Sequence, residues 1–135
     1  MTAHGLSIVG VLVLCLLSIL LAVYSGYSKG RAGALSGPVL PLDDDNLLYR
    51  IDRVHMNAVE ALPPFVVPTV LAMMVGVRPV TLATLVWVYV AIRLIHVAVY
   101  LRGGKAAGSI RTILYVSGAL VTVILTVVTA VAAIP

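Results

Sequence analysis

Charge is scarce in this chain: only 10% of its 135 residues are charged, nine basic against five acidic. Hydrophobic residues make up 61%, more than a soluble fold can hide, so lipid must cover part of that surface. Cysteine is nearly absent as well. Cys15 is the only one, which excludes an intramolecular disulfide, a C-x-x-C redox motif and a cysteine metal cluster. It lies inside an apolar run, where an inert packing role is expected. There is no G-x-G-x-x-G, P-loop, H-E-x-x-H or internal repeat, so no metal site is expected. Aromatics amount to 6% and are not interleaved with a basic patch, so the net charge of +4 does not point to nucleic acid.

What is present is long apolar sequence. Leu6 to Tyr24 and Ile113 to Pro135 carry no charge, and each is near the ~20 residues that cross a bilayer core. The first is expected to be a retained helix rather than a signal peptide. No positive segment precedes it, and it exceeds the usual apolar length of such peptides. Val54 to Val77 and Pro79 to Leu101 complete the set, separated by a tight Gly76–Pro79 turn. The chain thus reads as a single domain, residues 1–135, an all-α integral membrane protein. Its four-transmembrane-helix bundle is expected over about 6–25, 47–77, 79–101 and 109–134.

The connections after helices one and three, with their flanks, carry Lys29, Arg31, Arg50, Arg102, Lys105 and Arg111, against Arg78 alone on the opposite side. The positive-inside rule places both basic connections in the cytoplasm and both termini on the non-cytoplasmic side. The polar residues within the spans are then informative. At 100° per residue, Arg50, Arg53, Asn57 and Glu60 share about 80° of helix two, with Asp52 and His55 outside that face. Asp52 is expected to be a helix-start charge or a solvated residue. Tyr89, Arg93, His96 and Tyr100 share about 60° of helix three. Arg111, Tyr115, Gly118, Thr122 and Thr129 share a narrow face of helix four. The threonines there are expected to bond to their own helix, and Gly118 to allow close packing.

Depth counting brings these stripes to one level on the cytoplasmic side. An ionisable group at membrane depth costs about 2.5–3.5 kcal/mol at the centre. A structural Glu60–Arg93 pair could offset that cost, yet would leave Arg53, Asn57, His96 and Tyr100 unexplained. The surplus of arginine over carboxylate points to a polar anionic ligand. Pro63, Pro64 and Pro68 remove backbone donors from helix two, so a kink and freed carbonyls are expected there.

Three segments also carry a resemblance. The pattern R-x-H-x-N-x-x-E-x-x-x-P, here Arg53, His55, Asn57, Glu60 and Pro64, resembles the helix-two signature of the MAPEG family, membrane-associated proteins in eicosanoid and glutathione metabolism. RLIHVAVYL, Arg93 to Leu101, resembles its third helix, and IRTILY, Ile110 to Tyr115, the start of its fourth. The resemblance is closest to the microsomal glutathione transferase and prostaglandin E synthase branch. It implies a homotrimer in membrane lipid, with glutathione as co-substrate bound between subunits near the cytoplasmic face. Arg53, Asn57, Glu60, His96 and Tyr100 would then hold its charged and amide groups, with Arg50, Arg93 and Tyr115 on the same faces. Arg111 would face the sulfur as the catalytic residue. Lys29 and Arg31 are both candidates for a basic contact from the end of helix one. Met56 stands where the prostaglandin synthase branch has Arg and the transferase branch an apolar residue, which favours a transferase.

The implied activity is conjugation: glutathione, activated as thiolate, attacks lipophilic electrophilic small molecules, with peroxide reduction as a second activity. Two alternatives stay open. One is a non-catalytic lipid- or glutathione-binding scaffold of the same family. The other is a small proton-coupled four-helix exporter using Glu60.

Overall fold

The computed structural model describes residues 3–34, 37, 39, 42–103 and 107–134. Lys105, counted above for orientation, lies outside them. The described residues form helices and no strand: α1 (Gly5–Arg31), α2 (Leu47–Met74), α3 (Pro79–Arg102) and α4 (Ala107–Ala133). Each is long and apolar enough to cross a membrane.

Local chemistry explains the ends. Asn46 caps α2 by accepting the Leu48 amide at 3.0 Å, the usual role of an Asn at that position. At the other end Gly76 adopts φ 79°, and the Val77 amide returns to the Ala72 carbonyl at 2.9 Å. That is a Schellman closure, and it needs a residue free of a Cβ at the left-handed position. Helix two therefore stops at Met74, three residues short of the expected Val77. Pro79 then opens α3 at its first position, where the missing amide costs nothing.

Helix one departs further from expectation. It continues to Arg31 instead of ending near Ser25, which carries Lys29 and Arg31 into its last turn. Basic side chains there favour the negative end of the helix dipole. The extension also allows an ion pair between Lys29 and Asp52, with Ser25 Oγ donating to Asp52 at 3.4 Å. Asp52 is consequently buried against α1, not solvated. Helix two stays helical through all three prolines.

Helices α2 and α3 form the centre. Each of α1 and α4 packs on both, and α1 and α4 do not touch among the described residues. Phe65, Leu82, Val86 and Leu125 are fully buried between them. Among the described residues, the tightest glycine approach is not at Gly118, where an added Cβ would meet Tyr89 at an ordinary 3.5 Å. It is at Gly10 of α1, which lies hard against Val86 of α3. Small residues at such crossings let helix backbones approach closely in lipid.

The outward faces are apolar. Leu12, Leu16, Ile19 and Val23 on α1 and Ile113, Val116, Leu120 and Val127 on α4 are all exposed. Cys15 is half-buried on α1 rather than enclosed. Four spanning helices with greasy outer surfaces make this an integral, multi-pass membrane protein.

Candidate functional site

The polar stripes meet at the end of the bundle where α2 and α4 begin and α3 ends. There a cavity of 420 Å³ is lined by Arg53, Asn57, His96, Tyr100, Arg111 and Tyr115, together with Asp44, Tyr49, Gly108 and Thr112. Its size suits a small molecule, for which sites of about 300–1,000 Å³ are usual. Two guanidinium groups face it against one carboxylate, leaving a positive excess. Arg53 has no carboxylate partner among the described residues, whose ion pairs are Lys29–Asp52 and Arg111–Asp44.

Arg111 is 7% exposed, and three contacts hold it. Its two terminal nitrogens donate to the two carboxylate oxygens of Asp44, each at 3.2 Å. Its guanidinium carbon lies 4.5 Å from the centre of the Tyr100 ring, a cation–π distance. The Nε atom is buried without a partner. His96 is buried too, its ring tilted against Tyr100 at 5.5 Å, with Nδ1 unpartnered. So the cavity has donors and acceptors in hand, on side chains whose positions packing already determines.

Not every residue of the stripes comes to this cavity. Glu60 and Arg93 line a second one of 250 Å³, deeper in the bundle and shared with Tyr89, Tyr115, Gly118 and Thr122. Tyr115 borders both. Glu60 is exposed at the middle of α2, and it forms no ion pair with Arg93. Arg93 is buried and donates instead to the Asn57 carbonyl at 3.0 Å. Tyr89 donates to the Ala61 carbonyl at 3.1 Å. These two acceptors flank Val59 and Glu60, the carbonyls that Pro63 and Pro64 deprive of their helical donors. Side chains of α3 thus reinforce the proline-weakened stretch of α2.

Three further candidates are held elsewhere. Arg50 donates to the Asp44 carbonyl at 2.6 Å and packs on Gly103, joining the two connecting segments instead of lining the cavity. Lys29 is engaged by Asp52 and by the Gly37 carbonyl at 3.1 Å. Arg31 lies exposed over the Tyr27 ring at 5.9 Å. His55 lines neither cavity. Of the helix-four threonines, Thr122 and Thr126 bond to their own helix. Thr129 does so as well at 2.8 Å, and also reaches the Pro68 carbonyl of α2 at 3.3 Å.

Sequence reasoning missed Asp44. Within an acidic run in a connecting segment it looks like a solvated charge, and only the fold brings it 67 positions along the chain to Arg111. Among the described residues no cluster of His, Cys, Asp or Glu is arranged to hold a metal.

No curated protein and no solved structure matches the chain. The profile of the MAPEG family matches residues 4–131, a span that takes in α1 to α3, all but the last two residues of α4, and both cavities. The chain belongs to the MAPEG family, membrane proteins of eicosanoid and glutathione metabolism.

Proposed function

We propose that the protein is a membrane-bound glutathione transferase. The observation that carries this is the 420 Å³ cavity, in which Arg53, Asn57, His96, Tyr100, Arg111 and Tyr115 converge with a net positive lining. Glutathione presents two carboxylates, an ammonium, amides and a thiol. Arg53 is suited to a carboxylate, and Asn57 and His96 to amide groups. A free thiol has a pKa of ~8.5, and its thiolate is the nucleophile. In the reaction the thiol proton passes to water, and the guanidinium of Arg111 stabilises the sulfur anion. That anion then forms a carbon–sulfur bond with an apolar electrophile arriving from the lipid, and the leaving group departs with the electron pair. As a second activity, the same thiolate is proposed to attack an oxygen of a lipid hydroperoxide: the O–O bond breaks, the alkoxide leaves and takes a proton from water, and a second glutathione reduces the resulting sulfenic acid to glutathione disulfide and water.

The site is proposed to face the cytoplasm, with both termini on the other side, on the strength of the basic connecting segments. The homotrimer that the family resemblance implies is part of the proposal, and two features support contact with a neighbouring copy. Glu60 is exposed on α2 at membrane depth, where lipid contact would be costly, so a neighbouring copy is expected to cover it. Lys29 and Arg31 lie on α1, which does not touch α4, so a basic contact from α1 to the Arg111 side would come from another copy. Because Lys29 is already paired, Arg31 is the better candidate. Native mass spectrometry in detergent is expected to show three chains; a monomer would remove this part of the proposal.

The activity has a direct test. Purified protein is expected to bind glutathione by calorimetry and to conjugate it to a chlorinated dinitrobenzene. Binding without turnover would favour the scaffold reading, which the engagement of Arg111 by Asp44 makes worth testing. The exporter has one observation on its side, a Glu60 without an ion-pair partner among the described residues.

A further inference from the structure

We infer that Asp44 is a positioning residue that occupies the anion place of Arg111 until the ligand's own anion displaces it. The inference rests on the glutathione reading for the identity of that anion. The occupancy itself rests on geometry alone.

The contact is two-pronged, each terminal nitrogen of Arg111 on a separate oxygen of Asp44 at 3.2 Å. This fork geometry is how a guanidinium receives any carboxylate or comparable anion. Both partners line the cavity, so the pair sits where a ligand anion would have to go. They are unequally held. The Arg111 side chain is 8% exposed, whereas that of Asp44 is 58% exposed. Packing on Tyr100 keeps the cation in place, while the carboxylate can swing into solvent at small desolvation cost. Displacement would therefore move Asp44 and leave Arg111 where it is.

The backbone beneath Asp44 is nevertheless anchored. Asp43 accepts the Asp45 amide at 3.0 Å in a local turn, a habit of aspartate side chains. Arg50 holds the Asp44 carbonyl at 2.6 Å and rests on Gly103. The Asp44 side chain, 58% exposed, has room to turn between an inward position on Arg111 and an outward one in water while its backbone stays in place. Such a carboxylate sets a threshold. A neutral group at the sulfur position gains nothing from Arg111 while Asp44 holds it, whereas an anion competes on equal terms. The lining also keeps the buried guanidinium paired when no ligand is bound, which avoids an uncompensated charge.

The test uses the full chain in detergent as wild type, Asp44→Asn and Asp44→Glu. Two probes share the tripeptide: glutathione sulfonate, anionic at the sulfur position, and S-hexylglutathione, neutral there. Asp44→Asn is expected to bind the sulfonate about threefold to fivefold more tightly, as loss of a partly exposed competing ion pair implies. S-hexylglutathione binding should be unchanged, and Asp44→Glu should return the sulfonate value toward wild type. Unchanged or weaker sulfonate binding in Asp44→Asn, beside unchanged S-hexylglutathione binding, overturns the assignment. A second readout needs no glutathione: phenylglyoxal labelling of Arg111, followed by peptide mass mapping. Its rate should rise about threefold or more in Asp44→Asn and fall back in Asp44→Glu, whereas equal rates in all three overturn the inference. If neither probe binds the wild type, the glutathione reading fails, and the labelling alone decides the role of Asp44.

Discussion

Arg111→Ala is expected to lower conjugation turnover by roughly 10²–10³-fold while leaving glutathione affinity within about threefold. The asymmetry follows from where this guanidinium sits. It is buried at the first turns of α4, fixed over Tyr100 and directed into the cavity. In the proposed reaction it meets the sulfur, the atom on which negative charge builds, and not the tripeptide's carboxylates. A preorganised donor aimed at developing charge acts on the rate far more than on binding. Arg53, Asn57 and His96 remain to hold the rest of the ligand, so affinity should survive.

The thiolate provides the independent readout. Its absorbance at about 240 nm should fall in Arg111→Ala at fixed pH and fixed occupancy. Arg111→Lys should fall between the two, because an ammonium keeps the charge but loses both the fork and the flat contact with Tyr100. Part of the alanine effect would come from Asp44, which is left facing the cavity without its cation. The double variant with Asp44→Asn removes that repulsion, and its excess over Arg111→Ala measures it. Thiolate absorbance that persists in Arg111→Ala would move the activating role to another cation, with Arg53 the first to test.

The sequence made much of this visible, and its gaps have physical causes. Helix count and approximate spans follow from apolar length alone, since a bilayer tolerates few other solutions. Angular position brought Arg53, Asn57, His96, Tyr100, Arg111 and Tyr115 to one list. Depth counting, which set the stripes at one level, is too coarse to separate two sites along the same helices. Arg53 and Glu60 share a helical face but are seven residues apart, about 10 Å along the axis. That distance is enough to place them in different cavities. Pairings over long separations were equally invisible. Lys29 with Asp52 and Asp44 with Arg111 join residues on different helices or connecting segments, and neither leaves a local spacing signature. The extension of α1 to Arg31 falls in the same class. Ser25 and Gly26 weaken a helix only slightly, and contact with α2 outweighs them.

Phe65→Ala is expected to destabilise the fold by about 2–3 kcal/mol, read as a lower melting temperature by circular dichroism in detergent. In a soluble core the same truncation costs about 3–5 kcal/mol. Within lipid the transfer part of that cost largely falls away, because the surrounding chains are as apolar as the core. Packing remains, and here it is concentrated. Phe65 is wholly buried and its ring lies on that of Tyr89 with centroids 3.7 Å apart and planes within 5°. Tyr89 in turn donates to the Ala61 carbonyl, in the stretch that Pro63 and Pro64 deprive of backbone donors. Losing the ring opens a void and also loosens the side chain that supports the weakest turn of α2. Phe65→Leu keeps most of the volume and forfeits the aromatic contact, worth about 0.5–1.5 kcal/mol, so it should melt between the two. Neither Phe65 nor Tyr89 lines the Arg111 cavity, so glutathione affinity below the melting transition should match wild type. Loss of affinity without loss of stability would mean that the proline turn couples to the cavity through Asn57, whose carbonyl Arg93 holds from the same helix as Tyr89.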